Sequence, residues 1–206
     1  FSEEKSRRIA EVIMWAEIRN IEGQGLLKLW GTEPLQNIKP LSDIEIIEKT
    51  SVSAVINAHR QPSFYAAQVA TDLLLKKADQ HGFAVIGLNG LYSSTGALGF
   101  YAERIAKEGM IGIVMARSPG SVVPFDAKVP LFGTNPLAIS FPTETEPFVF
   151  DMATSAITWY DLVRAKMKGR SIPENVAVDS EGRLTTNPVE AMKGGILPFD
   201  RSYKGS

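Results

Sequence analysis

The chain has 206 residues, 22 Lys+Arg against 23 Asp+Glu for a formal charge of −1, and 44% apolar and 22% charged residues. That length fits one large domain or two small ones, and the composition is that of a folded globular chain. The near-neutral balance gives no electrostatic footprint for nucleic acid or an anionic membrane. The absence of cysteine excludes disulfides, Cys-ligated zinc, iron–sulfur clusters and thiol nucleophiles together.

Ser2 through Asn20 reads as a helix: Ile9, Val12, Ile13 and Ala16 recur at helical spacing, and Glu3 and Glu4 suit its positive end. Ala66, Val69, Ala70, Leu73 and Leu74 repeat the pattern, with Gly82 placed to take the left-handed position after the helix. Phe83 to Leu88 is a short apolar run of the kind expected for a strand buried on both faces. Leu98, Tyr101, Ala102 and Ile105 mark another helix, stopped by Gly109, and Met110 to Met115 is a second buried-strand candidate. Leu137 to Phe141 and Phe148 to Phe150 read as strands around the turn Thr143 to Glu146. Ala156 to Lys168 reads as a helix, and Val176 to Val178 as a strand entering the turn Asp179 to Gly182. Helix and strand alternate, so an α/β layered helix–sheet domain is expected rather than a bundle or sandwich. The expected division is an N-terminal helical, substrate-side region over residues 1–80 and an α/β cofactor-binding region over 81–206.

The ends carry their own expectation. The chain opens at Phe1 in charged helical sequence, where no signal peptide is read, and stops inside Tyr203-Lys204-Gly205-Ser206 without a polar tail. A fragment is expected. No apolar run reaches the ~18 residues of a spanning helix, and a cysteine-free chain fits a cytoplasmic location.

Several chemistries are absent. Gly23-Gln24-Gly25 follows a helix, and Lys28 stands where the third glycine of a dinucleotide fingerprint belongs. No Gly-Lys-Ser/Thr loop ends a strand, and the two histidines, His59 and His81, form no metal pair. His81 suits the free carbonyls of a helix end, and His59 lies in a loop-like stretch.

Three polar clusters remain. Tyr92-Ser93-Ser94-Thr95-Gly96 lies between a strand and a helix, where it can form an anion or carbonyl pocket or simply cap the helix through Ser94 or Thr95. Gly133-Thr134-Asn135-Pro136 has the composition of a turn. Asp151-Met152-Ala153-Thr154-Ser155 follows a strand, where α/β sheets place ligands, although Ser155 could merely cap the next helix.

Phe132-Gly133-Thr134-Asn135-Pro136-Leu137-Ala138, Pro147 through Ser155, Ile196-Leu197-Pro198 and Tyr203-Lys204-Gly205-Ser206 occur in that order. Together they strongly resemble the malate/L-lactate dehydrogenase family, whose NAD(P)-dependent members are unrelated to the Rossmann-type lactate dehydrogenases. The resemblance covers essentially the whole chain, and family chains continue well beyond Lys-Gly-Ser. It implies the non-Rossmann α/β fold of that family, and NAD or NADP as cofactor. It also implies a homodimer, with active sites formed between subunits. The implied cofactor contacts are Ser118, Asp151, Met152, Ala153, Thr154, Tyr203 and Lys204.

The catalytic positions depart from the family pattern. Gly23-Gln24-Gly25 and Lys28 stand where the family carries Ser-His-Gly and an arginine, and Ser93 or Ser94 stands where it carries a second histidine. Ser94, Ser93 and Gln24 are therefore the expected catalytic groups, and Lys28, Thr95 and Asn135 the expected substrate contacts. The implied activity is hydride transfer to or from C2 of a small 2-oxo acid, 2-hydroxy acid or cyclic imino acid. A cyclic iminium already carries its proton and asks least of a hydroxyl acid. The expected partner is a small carboxylate, with no metal, nucleic acid or membrane. The alternatives are a nucleotide-binding homologue without its proton donor, and an incomplete, inactive chain.

Overall fold

The computed structural model describes residues 1–21, 23–30 and 35–199. They form two compact units, Phe1–Gly112 with Ile139–Val149, and Ile113–Ala138 with Phe150–Ser206. The expected boundary at residue 80 falls inside the first unit, because strands on either side of it pair.

In the first unit, α1 (Glu3–Ile18) begins at Ser2, whose hydroxyl accepts the Lys5 N–H at 3.3 Å. Ile9, Val12, Ile13 and Ala16 are buried, the stripe expected from spacing, each worth up to about 1.5–3 kcal/mol of transfer free energy for its larger side chains. After the short α2 (Leu27–Trp30) come β1 (Glu45–Thr50) and β2 (Ser53–Asn57), an antiparallel hairpin with Ile46 opposite Ile56. The chain then crosses over through α3 (Ser63–His81) to β3 (Val85–Asn89), which runs parallel to β2 with Leu88 opposite Ile56. α4 (Leu98–Lys107) follows, and α1, α3 and α4 pack on one another.

Two expectations change here. Among the expected core positions of α3, only Ala66 is buried; Val69, Ala70, Leu73 and Leu74 are half-buried. Phe64, Gln68, Thr71 and Ala78 are buried instead, because α3 meets α1, α4 and β3 together and the polar ones among them find hydrogen-bond partners. Gln68 donates to the Arg8 carbonyl and Thr71 to the Ala67 carbonyl at 2.8 Å. The Phe83 and Met110 runs are not strands buried on both faces. Phe83 is 61% and Val85 52% exposed, and in β4 (Gly112–Met115) Ile113 is 59% and Met115 74% exposed. Among the described residues the first sheet has three strands, and β2 shows its one-sided character: Ala54 and Ile56 are buried while Val55 is half-buried.

β4, β5 (Leu137–Phe141) and β6 (Phe148–Met152) are hydrogen-bonded in that order, with the expected polar turn between the last two. In the second unit, Val122, Leu162, Ile172, Val176, Ala177, Ala191 and Ile196 form a core. Around it lie α5 (Trp159–Met167), β7 (Ala177–Val178), α6 (Pro188–Lys193) and β8 (Gly195–Ile196). α5 is shorter than the expected 156–168 helix because Thr158 and Asp161 close a capping box at its start. Among the described residues, no helix is long and apolar enough to cross a membrane.

Candidate active site

The residues that the sequence suggests for the substrate, Gln24, Lys28 and Ser93 to Thr95, lie in the first unit, on the α1–α2 connection and the loop before α4. Glu17 fixes the connection: its carboxylate accepts the Leu26 N–H at 2.9 Å, and a Cβ at Gly25 would collide with that carboxylate. α2 then carries Lys28 inward. The ammonium group is on a residue only 4% exposed, and Nζ donates to Ser94 Oγ at 3.0 Å. Gln24, four residues earlier, is half-buried, and its Oε1 is a buried acceptor without a hydrogen-bond partner among the described residues. An unfilled buried acceptor costs about 1–3 kcal/mol, a cost that a donor on a bound molecule would relieve.

The loop Tyr92–Gly96 is held from several sides. Ser94 Oγ accepts the Gly96 N–H at 3.1 Å as well as the Lys28 ammonium. Gly96 has φ +76°, and a Cβ there would meet Phe64 and Val12, so conformation and space both require glycine. The buried Tyr101 phenol donates to the Thr95 carbonyl at 2.7 Å, and burial pushes that phenol well above its ordinary range. Arg60 lies over the Tyr92 ring at 4.0 Å and donates its N–H to Gly90 O at 2.9 Å. It and His59 both have positive φ, 62° and 45°, a strained pair beside this loop. α4 takes Ala97 as its N-cap without a side-chain bond, so neither Ser94 nor Thr95 serves as the cap.

Ser93 faces elsewhere. Its hydroxyl lies 3.1 Å from Ser63 Oγ and accepts the Ser63 N–H at 3.3 Å, while Ser63 Oγ donates to the Ser93 carbonyl at 2.7 Å. Pro62 offers α3 no side-chain cap, and Ser93 satisfies that helix start from across the chain. The hydroxyls of Ser93 and Ser94 therefore point to different partners, rather than to one point.

The second unit gathers a separate cluster at the ends of β4, β5 and β6. Ser118 Oγ and Thr134 Oγ1 face each other at 3.0 Å, and Asn135 Oδ1 accepts the Ser118 N–H at 3.1 Å. Ser118 Oγ accepts the Asn135 N–H at 3.2 Å. Thr154 N–H donates to the Thr134 carbonyl at 2.8 Å, and its hydroxyl lies 3.2 and 3.1 Å from the Thr134 and Asn135 carbonyls. Gly133 passes so close to the Ser118 carbonyl that a Cβ would overlap it. Ser118, Asn135 and Thr154 are thus brought together, with Asp151 and Met152 at the end of β6 and Ala153 next to Thr154. Asn135 belongs to this cluster, bonded to Ser118, and not to the loop before α4. Ser155 donates to the Ile157 carbonyl at 2.7 Å and does not cap α5. Tyr203 and Lys204 lie outside the described residues.

His81 ends α3, and His59 pairs with Glu45 at 3.3 Å on the surface. Ser63, Tyr101 and Thr134 support the two clusters: Ser63 carries no signal in the sequence, Tyr101 reads there only as a helix residue, and Thr134 sits in a cluster that reads as a turn. Their partners lie 30, 6 and 16 residues away in sequence, so the contacts become visible only in the fold.

Comparison with known proteins adds the family. The chain matches the malate/L-lactate dehydrogenase family model over residues 1–206. It is 37% identical over 208 residues to L-sulfolactate dehydrogenase of Methanothermobacter thermautotrophicus, covering 98% of this chain and 60% of that protein. It is 34% identical over 191 residues to the ureidoglycolate dehydrogenase (NAD(+)) of Escherichia coli O157:H7, covering 90% and 54%. The solved structure of Δ1-piperideine-2-carboxylate reductase from Pseudomonas syringae pvar. tomato superposes with a TM-score of 0.86 at 30% identity, covering 99% of this chain and 62% of that one. The chain spans about 60% of the length of the first of these curated relatives. By full-length match to the family model and by fold, it belongs to the malate/L-lactate dehydrogenase family.

Proposed function

We propose that the protein carrying this chain moves a hydride between a nicotinamide dinucleotide, NAD or NADP, and C2 of a small 2-oxo acid, 2-hydroxy acid or cyclic imino acid. The observation that carries the reading is the buried Lys28 ammonium 3.0 Å from the Ser94 hydroxyl. A cation and a hydroxyl donor side by side suit a carboxylate and the adjacent C2 heteroatom. Lys28 would hold the carboxylate as a point charge rather than as a bidentate fork. Ser94 would donate to the oxygen or ring nitrogen at C2, and Gln24 Oε1 would accept from a substrate O–H or N–H. Thr95 and Ser93 keep the loop in place, the latter through Ser63.

The second cluster fits a dinucleotide by its donor set. Ser118 and Thr134 use one proton between their facing hydroxyls, which leaves the other to donate to a ribose or phosphate oxygen. Asp151 suits a ribose hydroxyl, and Thr154, through the Thr134 and Asn135 carbonyls, fixes the loop that presents them. When bound, the dinucleotide supplies or accepts the hydride, and the protein orients the partners and polarises the C2 heteroatom.

The test is NADH and NADPH oxidation by the native polypeptide against a panel of 2-oxo acids and cyclic imines. Turnover of at least one supports the reading. Binding of both dinucleotides with no turnover across the panel would instead mark a nucleotide-binding homologue.

A further inference from the structure

We propose that Arg60 is a specificity-determining residue, whose guanidinium anchors a second carboxylate carried beyond C2 and so selects 2-oxo or 2-hydroxy diacids over monoacids. The inference rests on the function proposed above and adds to it a binding residue and the substrate class that residue favours.

Arginine is not the residue that the backbone at position 60 asks for. Its φ is +62°, next to His59 at +45°, and outside glycine such values are best tolerated by asparagine and aspartate. The turn is pinned by main-chain bonds. Arg60 N–H donates to the Gly90 carbonyl at 2.9 Å, and Leu41 N–H and Gln61 N–H donate to the His59 and Ala58 carbonyls, both at 2.8 Å. Asn57 Oδ1 accepts the His59 N–H at 3.2 Å. None of these bonds uses the Arg60 side chain. A strained arginine therefore needs a reason of its own.

The side chain supplies one. Arg60 is half-buried, its guanidinium carbon lies 4.0 Å from the centre of the Tyr92 ring, and among the described residues no carboxylate pairs with it. The acid at this turn, Glu45, lies 3.3 Å from His59 Nε2 instead. The Arg60 Nε is buried without an acceptor, whereas the two Nη groups keep access to solvent. An aromatic ring takes up the face of a guanidinium and none of its N–H donors, so stacking fixes the plane of the fork and leaves its edge for an oxyanion. Tyr92 is 51% exposed, which puts the stack on the open side of the loop. The ring is two residues from Ser94, a backbone span of at most ~7 Å. One small diacid can thus meet Ser94 at C2 and Arg60 at its far end.

Two unreactive 2-oxo acid mimics read the anchor directly. N-oxalylglycine carries a terminal carboxylate where N-ethyloxamate carries a methyl. In calorimetric titrations with NADH or NADPH present, the native polypeptide should bind N-oxalylglycine about tenfold or more tighter, the scale of one hydrogen bond to a charged group. Arg60→Asn should bring the two mimics within about threefold by weakening the diacid alone, and its thermal midpoint should hold or rise because asparagine suits the positive φ. Arg60→Lys keeps the charge without the planar fork and should keep part of the preference. Tyr92→Leu removes the platform at an exposed position and should also reduce the preference, so it carries the test should Arg60→Asn not fold. In turnover, Arg60→Asn should raise KM for oxaloacetate by about tenfold or more, leave KM for 2-oxobutanoate within about threefold and change neither kcat by more than that, the pattern of lost uniform binding. Equal affinity of the native protein for the two mimics, equal losses for both in Arg60→Asn, or an undiminished diacid preference in either Arg60→Asn or Tyr92→Leu would overturn the inference. A native protein that binds neither mimic and turns over nothing in the panel would instead overturn the function on which it rests.

Discussion

Tyr101→Phe removes one oxygen from a residue 2% exposed and keeps the ring that packs edge-on against Phe100. The lost bond is the 2.7 Å donation to the Thr95 carbonyl, inside a part of the fold that water does not reach easily. Loss of the bond with the acceptor left unsatisfied costs about 1–3 kcal/mol, and we expect the upper half of that range from the burial of the phenol. Urea unfolding at pH 7 reads the difference as a lower midpoint at unchanged slope. The pH dependence gives an independent sign. Burial raises the folded phenol far above its ordinary value, whereas in the unfolded chain it ionises near pH 10. Above about pH 10 the unfolded wild-type chain binds fewer protons than the folded one, and wild-type stability falls, by at most about 1.4 kcal/mol per pH unit from this group. The phenylalanine variant has no such titration. Its deficit should therefore be full at pH 7–9 and shrink as pH rises beyond 10. Equal stability at pH 7, or a deficit constant from pH 9 to 11, would refute the argument and mean that the phenol is not what holds the loop.

Asp72 accepts from Arg8 Nη1 at 2.6 Å and from Arg104 Nη2 at 2.7 Å, tying α1, α3 and α4 together. With that carboxylate 38% exposed, solvent screening reduces each bond to about 1 kcal/mol, so Asp72→Ala should cost ~2 kcal/mol in urea; a cost within error of zero would mean the pairs are fully screened. Thr154→Val keeps shape but removes the donor shared by the Thr134 and Asn135 carbonyls. It should lower stability by ~1 kcal/mol and weaken reduced-dinucleotide binding several-fold in a calorimetric titration. An unchanged affinity would take this loop out of the cofactor site.

The N-terminal helix was legible because capping, charge and periodicity agree: Ser2, Glu3, Glu4 and the Ile9–Ala16 stripe all do in the fold what their spacing implies. α3 was legible as a helix but not in its buried face, since Gln68 and Thr71 are buried through hydrogen bonds that hydrophobic periodicity cannot register. The β1–β2 hairpin escaped notice for a related reason. β1 carries Glu45, Glu48 and Lys49 on a fully exposed strand, and its turn through Ser51 and Val52 lacks the Asn-Gly or Gly signal of a tight hairpin. α6 had a readable start in Asn187-Pro188, with Asn187 Oδ1 accepting the Val189 N–H at 2.8 Å, but its six residues give too little periodicity to mark a helix. In the site, Lys28 and Ser94 could be named from the sequence, 66 positions apart, but their contact could not. Ser93 and Ser94 looked equivalent as neighbours; only the fold turns one toward the start of α3 and the other toward the ammonium.

The most direct test of the central claim follows the hydride itself. The native polypeptide is mixed with NADH or NADPH deuterated at the transferable C4 position and with the 2-oxo acid or cyclic imine that it accepts, and the product is analysed by mass spectrometry and NMR. The account predicts one deuterium, bonded to C2 of the product in a single configuration. Product without deuterium at C2, or with deuterium in both configurations, would contradict hydride transfer from an enzyme-held nicotinamide to that carbon.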